Sequence, residues 1–177
     1  MKRPAFPRAR ARRIRLLVLD VDGVLTDGRI VYDERGNELK CFDVQDGAGI
    51  AFWHRAGLPS AIITARRSRL VTRRAKELGV TRLYQRALAK LPAFEDCLKR
   101  LHVTPAAVCV IGDDLMELPL MRRAGLAVAV ANAVPEVQAA AHYVTTHAGG
   151  RGAVRETVEL LLKAQGRWPA ILARYAV

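Results

Sequence analysis

Residues 16–26 constrain the fold more than any other stretch of the chain. The run Leu16-Leu17-Val18-Leu19 ends abruptly in Asp20-Val21-Asp22-Gly23, two carboxylates flanking one valine. An uninterrupted apolar run of this length reads as a strand buried on both faces, as in a parallel sheet. Two carboxylates at its end are costly, because buried like charges repel and lose their hydration. A divalent cation at the carboxyl end of the strand offsets that cost, and this edge is where open α/β sheets bind ligands. Taken alone, the segment fits equally well a strand closed by a polar turn at Asp22-Gly23.

Shorter apolar runs repeat along the chain. Residues 14–19, 60–63, 83–84, 107–111, 126–130 and 142–145 read as strands. Helical stretches fall between and after them at 47–56, 68–78, 91–101, 115–124, 134–141 and 154–165, with 168–176 as a last short helix. Ser68 reads as a helix cap and Gly79 as a stop. Residues 29–32 and 39–42 flank a polar turn and predict a β-hairpin inserted just after the two aspartates, placed to overhang them. Strands alternating with helices imply an α/β, Rossmann-like three-layer fold with a mainly parallel sheet and no large cap domain. Residues 1–13 read as a basic flexible tail, 14–166 as the folded domain and 167–177 as a C-terminal tail.

Composition narrows the function. At 177 residues, 51% hydrophobic and 26% charged, the chain suits one globular domain. No apolar stretch is long enough to span a bilayer. The basic start lacks the apolar core of a secretory signal, which places the chain in the cytoplasm. Cys41, Cys97 and Cys109 are far apart and offer no zinc or redox spacing. The net charge of +12 suits an anionic partner. Aromatic residues are only 6%, and none is interleaved with the arginine runs to stack on bases, so nucleic acid is an unfavoured partner.

Polar groups recur at the predicted strand ends or just before the following helix: Asp20 with Asp22, Thr64, Lys90, and Asp113 with Asp114. In a parallel sheet those ends share one edge, so residues distant in sequence converge. Three carboxylates around one site suit Mg²⁺, a hard cation that takes oxygen ligands. Carboxylates, Mg²⁺, a hydroxyl and a lysine together suit phosphoryl transfer. One aspartate can attack phosphorus, and a second can protonate the leaving alcohol and later activate water. No P-loop and no G-x-S-x-G elbow is present.

Asp20-Val21-Asp22-Gly23-Val24, Ile63-Thr64, Lys90 and Gly112-Asp113-Asp114, in that order, resemble the four motifs of the haloacid dehalogenase superfamily of phosphatases. Thr26-Asp27-Gly28, Phe42-Asp43-Val44-Gln45-Asp46-Gly47, Leu83-Tyr84-Gln85 and residues 148–156 narrow the resemblance to the 3-deoxy-D-manno-octulosonate 8-phosphate phosphatases. The resemblance implies a phosphatase domain over residues 14–166 that hydrolyses a small phosphorylated sugar acid. A nine-carbon 2-keto-3-deoxy acid 9-phosphate is the close alternative. A non-catalytic binding protein on the same fold is the alternative of another class.

The resemblance also implies roles. Asp20 would be nucleophile and metal ligand. Asp22 would be general acid and base, with its backbone carbonyl on Mg²⁺. Thr64 would hold the phosphoryl group, Lys90 would orient Asp20 and screen charge, and Asp113 would bind Mg²⁺ with Asp114 in support. Asp22, Asp43, Val44, Gln45, Asp46, Gly47, Arg66, Arg74, Lys90 and Arg151 would contact the substrate. Such proteins form homotetramers in which the hairpin and the glycine-rich segment, here residues 149–152, help close a neighbour's site. Four positions depart from the pattern: Gln45 and Ala51 where arginine is usual, Ala48 where an aromatic is usual, and Ala65 where glycine is usual.

Overall fold

The fold is described from a computed structural model, which describes residues 5–175. Helix α1 (Arg8–Ala11) leads into β1 (Leu16–Leu19), whose four residues are all buried. The hairpin strands β2 (Val31–Tyr32) and β3 (Glu38–Leu39) follow, then α2 (Val44–Arg55), β4 (Ser60–Ile63) and α3 (Arg69–Glu77). Next come β5 (Arg82–Tyr84), α4 (Lys90–Leu101), β6 (Val108–Gly112), a 3₁₀ turn (Leu115–Glu117) and α5 (Leu118–Met121). The chain continues through β7 (Leu126–Ala129), α6 (Pro135–Ala140), β8 (Tyr143–Val144), α7 (Ala153–Ala164) and α8 (Trp168–Leu172).

Six strands form one parallel sheet in the order β5-β4-β1-β6-β7-β8, and β2 pairs with β3 alone in an antiparallel ladder. β1 lies where the strand order reverses, so its carboxyl end opens into the crevice where α/β sheets take ligands. β1, β4, β6 and β7 are buried along their whole length. Right-handed crossovers put α2 and α3 on one face and α4, α5 and α6 on the other, with α7 packed on α2. The expected three-layer architecture is present.

Three local expectations differ from the structure. Residues 8–11 of the expected tail form α1, which packs on α7 with Ala11 fully buried. Residues 1–4 of that tail, and 176–177 at the other end, lie outside the described residues. Helix α2 begins three residues earlier than expected, because Asp43 caps it by accepting from the amides of Gln45 and Asp46. Ser68 occupies the cap position of α3 without a side-chain cap; its own amide donates to Gln85 Oε1.

Candidate active site

Four sheet strands or the segments after them deliver the site. Asp20 and Asp22 follow β1, Thr64 follows β4, Lys90 opens α4 after β5, and Asp113 follows β6. They line one cavity of about 200 Å³ together with Ala65, Arg66, Asp114, Met116 and Glu117. The turn after β1 is fixed by buried Thr26, whose hydroxyl donates to Val21 O and accepts from the amides of Gly23 and Gly28. Gly23 takes φ +94°, and a Cβ there would run into the Asp113 carboxylate. The turn therefore needs glycine both for its backbone and for the approach of Asp113.

The charges at the bottom of the cavity do not balance. Lys90, whose side chain is 2% exposed, pairs with Glu117 and lies 2.8 Å from Asp20 Oδ1. The contact with Asp20 is an ion pair. Asp113 Oδ1 is buried and unpartnered. Glu117 is satisfied: besides Lys90 it accepts from the amides of Asp113 and Asp114. Asp20, Asp113 and Glu117 can each bring one oxygen within 4.8 Å of the others.

Buried Glu117 and the partly buried Asp20 and Asp113 thus share one ammonium. Burial, then the neighbouring charge of Glu117, pushes Asp20 up to about 6 against the pull of Lys90. Burial, with the charges of Glu117 and Asp20, pushes Asp113 up to about 8. Burial alone would lower Lys90, but Asp20 and Glu117 outweigh it and leave it raised. Asp113 Oδ1, without a partner, and Asp20 Oδ1, paired with Lys90, are oxygens of the kind a hard divalent cation takes. The residues present fit Mg²⁺.

Asp22 stands apart from that acidic cluster. Its carboxylate accepts from Lys40 of the hairpin and lies 3.7 Å from Arg66 Nε. Arg66 also donates to Glu38 (3.1 Å) and to the Tyr32 hydroxyl (3.3 Å). The hairpin therefore overhangs the site, as its place in the sequence predicts.

Other expected substrate contacts lie elsewhere in this chain. Asp43, Val44, Gln45, Asp46, Gly47, Arg74 and Arg151 do not line the cavity. The early start of α2 is the reason for the first five. Asp43 is spent on the cap, and Val44 is 79% exposed. Buried Asp46 accepts from the amides of Gly152 and Arg155 and ties α2 to α7. Gln45 borders a separate cleft with His147 and Arg155. Gly47 makes room for the guanidinium of Arg74, which lies over the Phe42 ring and pairs with Glu77. Arg151 points outward near Asp27, at 3.8 Å. The glycines before it are held by their own chain: the Gly150 amide donates to Val24 O, and a Cβ on Gly149 would strike the Gly23 carbonyl.

The sequence reading missed Glu117 and Lys40. The signal for Glu117 is the capping-box spacing Asp114-x-x-Glu117, which the structure contains. The signal for Lys40 is its i, i+2 relation to Glu38 on an extended segment, which places both on one face.

Known proteins resemble this chain closely. A haloacid dehalogenase-like hydrolase model matches residues 75–156. The 3-deoxy-D-manno-octulosonate 8-phosphate phosphatase of Escherichia coli K12 is 52% identical over 159 residues, 90% of this chain and 85% of that protein. A crystal structure of the phosphatase of that name from Yersinia pestis is 48% identical with a TM-score of 0.90, covering 92% of this chain and 88% of the other. The Moraxella catarrhalis structure, in complex with magnesium, phosphate and a 3-deoxy-D-manno-octulosonate (KDO) molecule, is 43% identical. Its TM-score is 0.93, covering 96% of this chain and 97% of the other.

Proposed function

Because the chain belongs to the 3-deoxy-D-manno-octulosonate 8-phosphate phosphatase family of haloacid dehalogenase-like hydrolases, we propose that it hydrolyses 3-deoxy-D-manno-octulosonate 8-phosphate to the free sugar acid and phosphate. The observation that carries this reading is the convergence of Asp20, Asp22, Thr64, Lys90 and Asp113 in one cavity whose floor is an uncompensated carboxylate cluster.

A carboxylate oxygen of Asp20 attacks phosphorus and forms an aspartyl-phosphate as the ester P–O bond breaks. The electron pair of that bond stays on the sugar oxygen, which takes a proton from Asp22. Water then attacks the same phosphorus and gives a proton to Asp22, and the Asp20–phosphorus bond breaks to release phosphate. Lys90 holds Asp20 in line, itself fixed by Glu117, and Thr64 donates to a phosphoryl oxygen. Mg²⁺ would be held by Asp20 and Asp113 and by the Asp22 carbonyl, and when bound it supplies positive charge against the phosphoryl oxygens. Arg66, at the mouth and 42% exposed, offers a planar fork to the sugar carboxylate. Arginine at this position favours the octulosonate ester over the nine-carbon ester.

The released sugar acid serves lipopolysaccharide assembly, and the enzyme works in the cytoplasm as a homotetramer. Three free cysteines and the absence of any helix long and apolar enough to cross a membrane among the described residues support the first placement. Ile30, Val31 and Leu39 stand exposed on the hairpin and support contact between copies.

The test is phosphate release with Mg²⁺ from the octulosonate 8-phosphate, a nine-carbon acid 9-phosphate, hexose phosphates and p-nitrophenyl phosphate. The reading expects a kcat/KM for the octulosonate ester at least about tenfold above the rest, the smaller end of what a pocket contact discriminates. Equal, slow release from all would keep the chemistry and overturn the substrate. No release would return the binding-protein reading.

A further inference from the structure

The hairpin holds a buried charge that the reaction described above does not use. Lys40 follows β3, and its side chain is 1% exposed although its neighbour Leu39 is 51% exposed. Glu38 and Lys40 alternate with Leu39 along the extended segment, so both turn towards the site. Lys40 Nζ bonds Asp22 Oδ1 and lies 3.4 Å from Glu38 Oε1. The other oxygen, Asp22 Oδ2, lies 3.7 Å from the Arg66 guanidinium, beyond hydrogen-bond reach.

Anchoring a hairpin does not require an ammonium. A buried ion pair often stabilises no better than well-packed apolar groups of similar volume, and the outer face of this hairpin already carries apolar side chains. What the ammonium does that a methionine cannot is bind one oxygen of Asp22 and leave the other. A carboxylate at the end of a short side chain is otherwise free to turn about its last torsion, which is broad.

We propose that Lys40 is a positioning residue for Asp22, holding Oδ1 so that Oδ2 faces the leaving oxygen. Proton transfer then runs through Oδ2: the ester P–O bond breaks, its electron pair stays on the sugar oxygen, and the proton on Oδ2 moves to that oxygen. Glu38 holds Lys40 in turn and connects it to Arg66, so the proton donor and the expected carboxylate site share one hairpin face. The proposal rests on the reading of Asp22 as general acid.

The experiment compares leaving groups. A sugar alcohol needs a proton as it departs, whereas p-nitrophenolate does not. Lys40→Met and Lys40→Gln are assayed with Mg²⁺ for steady-state release from the octulosonate 8-phosphate and for the pre-steady-state burst of p-nitrophenolate. Asp22→Asn is the control. The proposal expects kcat for the sugar phosphate to fall about 10²-fold, the lower end of a general acid's contribution, with KM within about twofold and the burst rate within about threefold. Equal losses for both esters, no burst in either variant, or no loss for the sugar ester would overturn it. If Asp22→Asn itself keeps full turnover of the sugar ester, the general-acid reading fails. If Asp22→Asn loses turnover and the Lys40 variants do not, only the role of Lys40 fails.

Discussion

The floor and the roof of the site are built by opposite means. The floor joins the ends of β1, β4 and β6 to the start of α4, with Lys90 and Glu117 buried beneath. Its positions are set by the sheet, whose strands β1, β4 and β6 are fully buried. The roof is a hairpin with two-residue strands and four large hydrophobic residues exposed, tied to the body through Lys40, Glu38 and Tyr32. Such a hairpin has little stability of its own. The nucleophile and the metal-binding carboxylates sit on the ends of buried strands, whereas the general acid Asp22 and the mouth residue Arg66 also meet a hairpin tied down by a few charges.

Lys90→Met breaks the floor most severely, because it leaves Asp20 and buried Glu117 without their ammonium. Removing one partner of a buried ion pair costs about 3–5 kcal/mol. Thermal or urea unfolding of the metal-free protein at pH 7 measures it, and Mg²⁺ is expected to restore part of the loss. A change below about 1 kcal/mol would mean that the floor is far more hydrated than its burial indicates.

The pH dependence follows from the same imbalance. Asp20 and Asp113 have folded-state values raised above their unfolded ones, so the folded protein binds protons more tightly between them. Their contribution to the stability of the metal-free protein is therefore full below 3.8 and is lost as pH rises through about 6 and then about 8. Lys90 is raised, so its contribution persists to higher pH and does not oppose this trend. Melting temperatures at pH 5 and pH 8 are expected to fall in that order without metal and to converge with Mg²⁺. A rise without metal would contradict the carboxylate cluster.

The smallest effect belongs outside both regions. Gln45 borders the cleft beside α7, so Gln45→Arg should leave KM for the octulosonate ester within about twofold. A fall of tenfold, worth about 1.4 kcal/mol, would place this residue at a neighbouring copy's site.

The floor was legible in the sequence because its rule is simple: polar residues at the ends of apolar runs share an edge when the sheet is parallel. Asp20, Thr64, Lys90 and Asp113 obey it. Glu117 was not legible, because a glutamate at a capping-box position is ordinarily solvated, and only the turn of Lys90 towards it makes it part of the site. Lys40 was hidden in the same way, since a lysine on a hairpin is ordinarily exposed. The family resemblance assigns residues 43–47 to the substrate, and the helix reads from Gly47 because Gly47 and Gly49 weaken its signal. The glycines are there for packing: Arg74 covers one, and the backbone of Arg155 lies against the other. Residues 8–11 read as tail because four arginines in six residues mask the one buried alanine, Ala11.

The most direct measurement is rapid quench of the Mg²⁺-loaded enzyme with phosphate-labelled substrate, followed by trypsin digestion. Cleavage after Arg15 and Arg29 isolates residues 16–29, which carry Asp20. The account predicts transient label on that peptide in the wild type and none in Asp20→Asn, with turnover lost. Undiminished turnover in Asp20→Asn, or label on another peptide, would contradict it.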